Sequence, residues 1–163
     1  MSESYRSVAP GMLRLPARRD SSFHEISAHC LQGFQERREC QRVAIDMAFS
    51  RRGGLRRVDE LCGLSAGRWQ VGALLGHAEV LRLARGLSVL VPVCQFDPGD
   101  WSIRPGIAAI VRELRPVFDD SEIADWFAKP NSWIGRAVPI DACEWNFFEV
   151  LQAARADRFI AHG

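Results

Sequence analysis

Four prolines divide the second half of the chain into short segments, and their spacing limits the folds available to it. Pro116 and Pro130 are expected to end helices, because proline disfavours helical backbone at the residue before it. Pro105 and Pro139 suit the first turn of a helix, where the missing amide proton is not needed. We therefore predict several short helices in this half of the chain.

Apolar residues between these prolines repeat with the helical period, which predicts a small helical bundle. The stripe of the first helix consists of Ile107, Ile110, Val111 and Leu114. Asp119 and Glu122 have capping-box spacing and open a helix. This second helix directs Ile123, Trp126 and Phe127 inward. A single turn is predicted after Pro139, and a last helix over about 146–158.

The first half of the chain predicts helices and a hairpin. Residues 1–20 have no sustained period and are predicted to be a flexible arm. A helix is predicted from Ser21 or Ser22, followed by a helical stretch over about 35–50 and a turn at Gly53 and Gly54. The apolar face of the 35–50 stretch is predicted to contain Val43, Ala44, Met47 and Ala48. Two apolar runs around Gly86 predict a β-hairpin.

Residues 58–76 have the layout of a helix-turn-helix. A short helix around Val58–Cys62 is followed by Gly63, which permits a tight turn, and Ser65 can cap a second helix. The predicted fold is mainly α, with a helix-turn-helix-like module and a short β-hairpin followed by a small helical bundle. We divide the chain into a flexible arm (1–20), the helix-turn-helix-like module with its hairpin (21–97) and a helical domain (98–163).

Positive charge is concentrated between residues 37 and 57, a segment that contains seven arginines and only two acidic residues. Such an excess indicates a polyanionic partner or a solvated face whose arginines pair within the molecule. If the helix-turn-helix binds DNA, basic and polar groups must reach phosphates and base edges. The candidate DNA-binding residues are Arg51, Arg52, Arg56, Arg57, Ser65, Arg68 and Gln70.

No catalytic motif is present in the sequence, so we expect neither an enzyme nor a bound cofactor. Phosphate-binding glycine loops and the GxSxG and HExxH patterns are missing. The five cysteines are scattered and form no CxxC pair, so we expect no metal site. No apolar run is long enough to span a membrane and the N-terminus lacks a secretory signal, which predicts a cytoplasmic protein.

Residues 92–158 resemble the C-terminal toxin-binding domain of bacterial antitoxins of the MbcA/ParS/Xre family. The similar segments are PVCQFD (92–97), the helix from Pro105 to Leu114, DWFAKPNSWIGRAVPID (125–141) and VLQAARAD (150–157). Ile134 stands where leucine is common in the family.

The resemblance implies a helical toxin-binding domain at residues 98–163 and a toxin as protein partner, commonly of the RES type, which degrades NAD or transfers groups from it. It also implies repression of the antitoxin's own promoter, usually by a homodimer. A proline-braced loop loses little freedom on docking, and Trp and Arg often dominate interfaces. The candidate contacts are Trp133, Ile134, Gly135, Arg136, Pro139, Arg155, Arg158 and Phe159. Trp126 is expected in the core, whereas core and surface both stay open for Trp133.

Two alternatives to an antitoxin remain from the sequence. The chain could be a DNA-binding transcriptional regulator without a toxin partner, which the arginine excess favours. It could also be a stand-alone inhibitor module that uses the same C-terminal surface on an unrelated protein.

Overall fold

A computed structural model describes residues 21–64 and 76–163, including the side chains of residues 32–61 and 76–163. The chain is mainly helical, as predicted. The helices are α1 (Ser21–Ser50), α2 (Val58–Leu64), α3 (Pro105–Leu114), α4 (Asp120–Ala128), α5 (Pro139–Ala142) and α6 (Phe147–His162). The strands are β1 (Leu55–Arg57), β2 (Leu83–Arg85) and β3 (Ser88–Pro92), and single 3-10 turns occupy Val93–Gln95 and Ser132–Ile134. The predicted arm and the second helix of the helix-turn-helix lie outside the described residues.

Two compact units make up the chain, residues 1–36 and 37–163. In the described part of the first unit, the Gln32 amide donates to the Glu36 carboxylate one helical turn later, at 3.4 Å. The second unit contains the rest of α1 and all of the other elements that the structure describes.

Helix α1 is one continuous helix, which corrects the prediction of two separate stretches. Gly33 lies within it, and one glycine costs only about 1 kcal/mol in a helix. Its buried face agrees with the predicted one at Ala48 but not at Val43 and Met47, which are 48% and 60% exposed, and Ile45 and Phe49 are buried instead. Both pairs have i, i+4 spacing, so the period alone does not decide which pair faces the core.

The sheet is a three-stranded antiparallel sheet with the order β1-β3-β2. The predicted hairpin is confirmed, with Gly86 in the left-handed region (φ 59°) and Leu83 opposite Leu90. Strand β1 corrects the prediction, which has only a turn at Gly53 and Gly54 in this region. The turn itself is present at Gly53 and Gly54, whose φ angles are 90° and 80°.

The short helices of the second half form where the prolines and the capping box predict them. Pro105 is in the first turn of α3, whose predicted stripe of Ile107, Ile110, Val111 and Leu114 is buried. The Asp119 carboxylate accepts from the amides of Ser121 and Glu122, both at 2.8 Å, and the Glu122 carboxylate accepts from the Asp119 amide. Helix α6 is one turn longer than predicted and ends at His162.

One main core joins elements from both halves of the second unit. Ile45 and Phe49 of α1 belong to the same cluster as Leu83 of β2 and Val150 of α6. The predicted domain boundary between residues 97 and 98 stays a prediction, although this core contains residues from both sides of it.

In the PVCQFD segment, the side chain of a buried glutamine makes the backbone hydrogen bonds that a neighbouring strand would otherwise make. The Leu81 amide donates to Gln95 Oε1 at 2.9 Å, and Gln95 Nε2 donates to the Leu81 carbonyl at 3.2 Å. Gln95 is 1% exposed. Because buried backbone groups need partners, this side chain fixes the segment before β2 against the end of β3.

Candidate functional site

The loop between α4 and α5 is held by its own hydrogen bonds. The amides of Ile134 and Arg136 donate to the Asn131 carbonyl at 3.3 and 2.9 Å, and the Asn131 amide donates to the Ala137 carbonyl at 3.0 Å. The Asn131 side chain also accepts from the Trp133 amide at 2.9 Å. Pro130 and Pro139 flank this network, so the backbone between them has few free torsions.

The Asp157 carboxylate of α6 binds two side chains of this loop and one of α4. Its Oδ2 accepts from Trp126 Nε1 and from Asn131 Nδ2, both at 2.7 Å. Its Oδ1 accepts from Trp133 Nε1 at 2.9 Å. We call Asp157, Trp126, Asn131 and Trp133 the Asp157 cluster. Hydrogen bonds to an ionised acceptor are short and strong, so this carboxylate fixes both indole rings relative to α6.

The two tryptophans of the cluster differ in exposure. Trp126 is partly buried and packs against the main core, which confirms its predicted position. Trp133 is 55% exposed, although its indole N–H is bonded to Asp157. One ring therefore supports the loop, and the other is presented to solvent in a fixed orientation.

Two of the predicted contact residues are not available to a partner in this fold. Ile134 is 6% exposed and belongs to the main core, and Pro139 is buried at the start of α5. Both residues support the loop from its buried side. Gly135 and Arg136 are exposed at its tip, with φ angles of 63° and 65°. Arg136 adopts this left-handed backbone without being a glycine, which marks a conformation that the loop imposes.

The last turns of α6 present large apolar side chains. Phe159 is 81% and Ile160 64% exposed. Arg155 and Arg158, on the same helix, both contact the Glu113 carboxylate of α3, at 3.3 and 2.6 Å. This carboxylate holds the two predicted arginines along α6, where they remain partly exposed. We use the name docking surface for four exposed residues, Trp133 and Arg136 of the α4–α5 loop and Phe159 and Ile160 of α6, without implying that their side chains touch one another.

The predicted DNA-binding arginines are mostly paired with carboxylates. Arg51 and Arg52 both contact Asp141 of α5, and Arg52 also contacts Glu144. Burial alone would lower the pKa of Arg52, but Glu144 and Asp141 raise it overall. These ion pairs neutralise positive charge that would be needed to bind DNA phosphates. They also attach the turn after α1 to α5.

Strand β1 carries Arg56 and Arg57, the other two of these arginines within the described residues. Arg57 binds Asp59 through both of its carboxylate oxygens, at 3.0 and 2.9 Å, and this bond lowers the pKa of Asp59. Arg56 is exposed on the same strand. Ser65, Arg68 and Gln70 lie outside the described residues. DNA binding therefore stays a prediction.

Two cysteines line a cavity of about 200 Å³ beside Arg52. Burial raises the pKa of Cys94 and of Cys143 to about 12, so both are protonated and poor nucleophiles at neutral pH. Among the side chains that the structure describes, no group of three or more His, Cys, Asp or Glu could hold a metal ion. None of the helices in residues 21–64 and 76–163 has the length and apolarity needed to cross a bilayer.

Sequence reasoning missed Asp157 and Asn131 as site residues. Asp157 follows Val150, Ala153 and Ala154 at the i, i+3, i+4, i+7 positions of the buried stripe of α6. An acid at the end of an apolar stripe must find donors, and this was the available signal. Asn131 precedes the 3-10 turn that it caps, which is a common position for asparagine.

No family model matches the chain, and no curated protein and no solved structure is significantly similar to it.

Proposed function

We propose that this chain is an antitoxin-like protein of the cytoplasm, which binds and neutralises a partner toxin through the docking surface. The observation that carries the proposal is Trp133, which is more than half exposed while its indole N–H is fixed by Asp157. A ring held in this way loses little conformational entropy on binding, so more of its contact energy becomes affinity.

The composition of the docking surface supports a protein partner rather than a small molecule. Trp and Arg are enriched among the residues that dominate the energetics of interfaces. Trp133, Phe159 and Ile160 supply exposed apolar area. Arg136 is exposed in the loop between the 3-10 turn and α5. An exposed apolar set on an ordered scaffold is typical of surfaces that another protein covers.

The resemblance of residues 92–158 to the MbcA/ParS/Xre family supports a toxin as that partner. Within this proposal the toxin is of the RES type, and the chain covers the cleft in which the toxin consumes NAD. The chain itself performs no reaction. Repression of its own promoter belongs to the same proposal and depends on the helix-turn-helix.

Co-expression with the product of the neighbouring gene tests this function. We expect the two proteins to co-purify and the chain to restore growth of cells that express the toxin. Trp133→Ala should weaken binding by about 2 kcal/mol, or roughly thirtyfold in Kd, as for the central residue of an interface. Isothermal titration calorimetry of the purified pair measures this change.

Leu87→Ala is the matched control, because Leu87 is a fully exposed apolar residue on the β2–β3 hairpin. It should leave Kd unchanged. Removal of residues after Asp157 keeps the Asp157 cluster and deletes Phe159 and Ile160, so it tests the contribution of α6 to the docking surface. If neither this truncation nor Trp133→Ala changes Kd or protection, the docking surface is not the toxin-binding site.

A further inference from the structure

A groove of about 320 Å³ runs along α4 on the side of Trp126. Its apolar walls are Phe118, Trp126 and Pro130, and its polar lining includes the carboxylates of Glu122 and Asp125. It shares Trp126 and Asn131 with the Asp157 cluster, so it adjoins the loop that carries Trp133. No residue predicted from the sequence as a partner contact lines it.

The groove carries negative charge that the chain compensates only in part. Glu122 accepts a hydrogen bond from the uncharged Asp119 amide and has no ion-pair partner within the described residues. Asp125 holds the Lys129 ammonium on Oδ2, while its buried Oδ1 has no hydrogen-bond donor in the described part of the chain. Lys129 is 59% exposed, so this internal cation is bound at one end of the groove and largely solvated.

Aromatic and acidic groups together favour a cationic ligand. The face of a tryptophan ring attracts cations, and Asp157 fixes the Trp126 ring in the groove wall. A guanidinium is planar, stacks on aromatic rings and donates to carboxylates in a fork, whereas an ammonium is more strongly hydrated. An arginine therefore fits this combination of ring and carboxylates better than a lysine.

We propose that this groove on α4 binds an arginine side chain of the partner protein. This inference rests on the proposed function, because it names the chemistry that the partner must present beside Trp133. The aromatic wall supplies stacking, and Glu122 supplies the counter-charge, because Asp125 Oδ2 already holds Lys129 and Asp125 Oδ1 is buried. Partner proteins that lack a basic side chain at this position leave Glu122 uncompensated and bind more weakly.

Titration of the full chain with N-acetyl-arginine amide tests the site without the partner. The indole N–H signal of Trp126, assigned as the one that Trp126→Phe removes, should shift saturably in NMR spectra. N-acetyl-citrulline amide has nearly the same shape without the charge and should cause no saturable shift. Glu122→Gln keeps the capping-box acceptor and removes one charge, so it should weaken binding about threefold.

Two further variants complete the test. Lys129→Met removes the competing internal cation, leaves the capping box intact and should tighten binding of the arginine probe. Glu149→Gln makes the same charge change in the first turn of α6, away from the groove, and should have no effect. The proposal is overturned if arginine and citrulline probes behave alike, or if Glu149→Gln weakens binding as much as Glu122→Gln.

The outcomes separate this inference from the proposed function. If Trp133→Ala weakens toxin binding but the arginine probe does not shift Trp126, the function stands and the groove is not an arginine site. If the probe binds as expected and the neighbouring gene product does not bind the chain, the groove stands and the partner is a different basic protein.

Discussion

At the scale of single residues, Asp157 determines how the candidate surface is ordered. Its carboxylate accepts from two indoles and one amide, at 2.7 to 2.9 Å. All three donors belong to α4 or to the loop after it, so one side chain of α6 positions two aromatic rings with different tasks. The ring of Trp126 forms the wall of the groove, and the ring of Trp133 is presented to solvent.

Asp157→Asn should loosen this arrangement. An asparagine offers one acceptor oxygen and places an amide donor towards groups that are themselves donors. We expect a loss of about 1–3 kcal/mol in the free energy of unfolding, as for hydrogen bonds to a charged group. Urea unfolding measures the loss, and acrylamide quenching of tryptophan fluorescence reports the freed rings.

A double-mutant cycle with Trp133→Phe separates the Trp133 bond from the other two. Phenylalanine keeps an aromatic ring and removes the indole N–H. If the effects of Asp157→Asn and Trp133→Phe on unfolding add without interaction, Asp157 does not hold Trp133.

At the scale of elements, the stop and start signals of the second half act locally. The capping box at Asp119 satisfies amides of the first turn of α4 and places carboxylates near the positive end of the helix. Prolines define the neighbouring boundaries. These signals depend on a few adjacent residues, and this is why α3, α4 and α5 could be predicted from the sequence.

Asp119→Ala should destabilise the protein by about 1 kcal/mol, because the amides of Ser121 and Glu122 lose their acceptor. Thermal and urea unfolding measure the change, with Asp119→Asn as a control that retains a capping oxygen. A loss in Asp119→Asn as large as in Asp119→Ala would mean that charge, rather than capping, stabilises α4.

Features that depend on distant partners could not be predicted. Val43 and Met47 have the same spacing as Ile45 and Phe49, and only packing against β2 and the C-terminal helices decides that the second pair is buried. Strand β1 is three residues long and forms because β3 offers it an edge. Likewise, the sequence leaves both core and surface open for Trp133, because its orientation depends on a bond to Asp157, which lies 24 residues later in the chain.

At the scale of the whole molecule, buried thiols connect stability to alkaline pH. Cys94 and Cys143 have an ordinary pKa of 9.0, which burial raises to about 12 in the folded chain. A group whose pKa is raised by folding contributes its full stabilisation of the folded chain when the pH is below the pKa that it has in the unfolded chain. Its contribution is lost as the pH rises through the folded value, because the unfolded chain releases the proton first.

The free energy of unfolding should therefore fall between pH 9 and about 12. Each thiol contributes a slope of about 1.4 kcal/mol per pH unit in this window. Three other cysteines, one tyrosine and one lysine also titrate in or near this window, so a comparison with the double variant below is needed to isolate the two thiols. Urea unfolding at several pH values measures the slope, and Cys94→Ser with Cys143→Ser should flatten it. Equal slopes in both proteins would mean that the thiols are not buried.

The core that joins α1 to α6 cannot close until α6 has been synthesised. Ile45 and Phe49 emerge from the ribosome early, but the core cluster that they join includes Val150, Ala153 and Ala154 in the first half of α6. A translation product that stops before α6 lacks both this cover and Asp157. Only chains translated through α6 contain the carboxylate that holds the Trp133 indole in place.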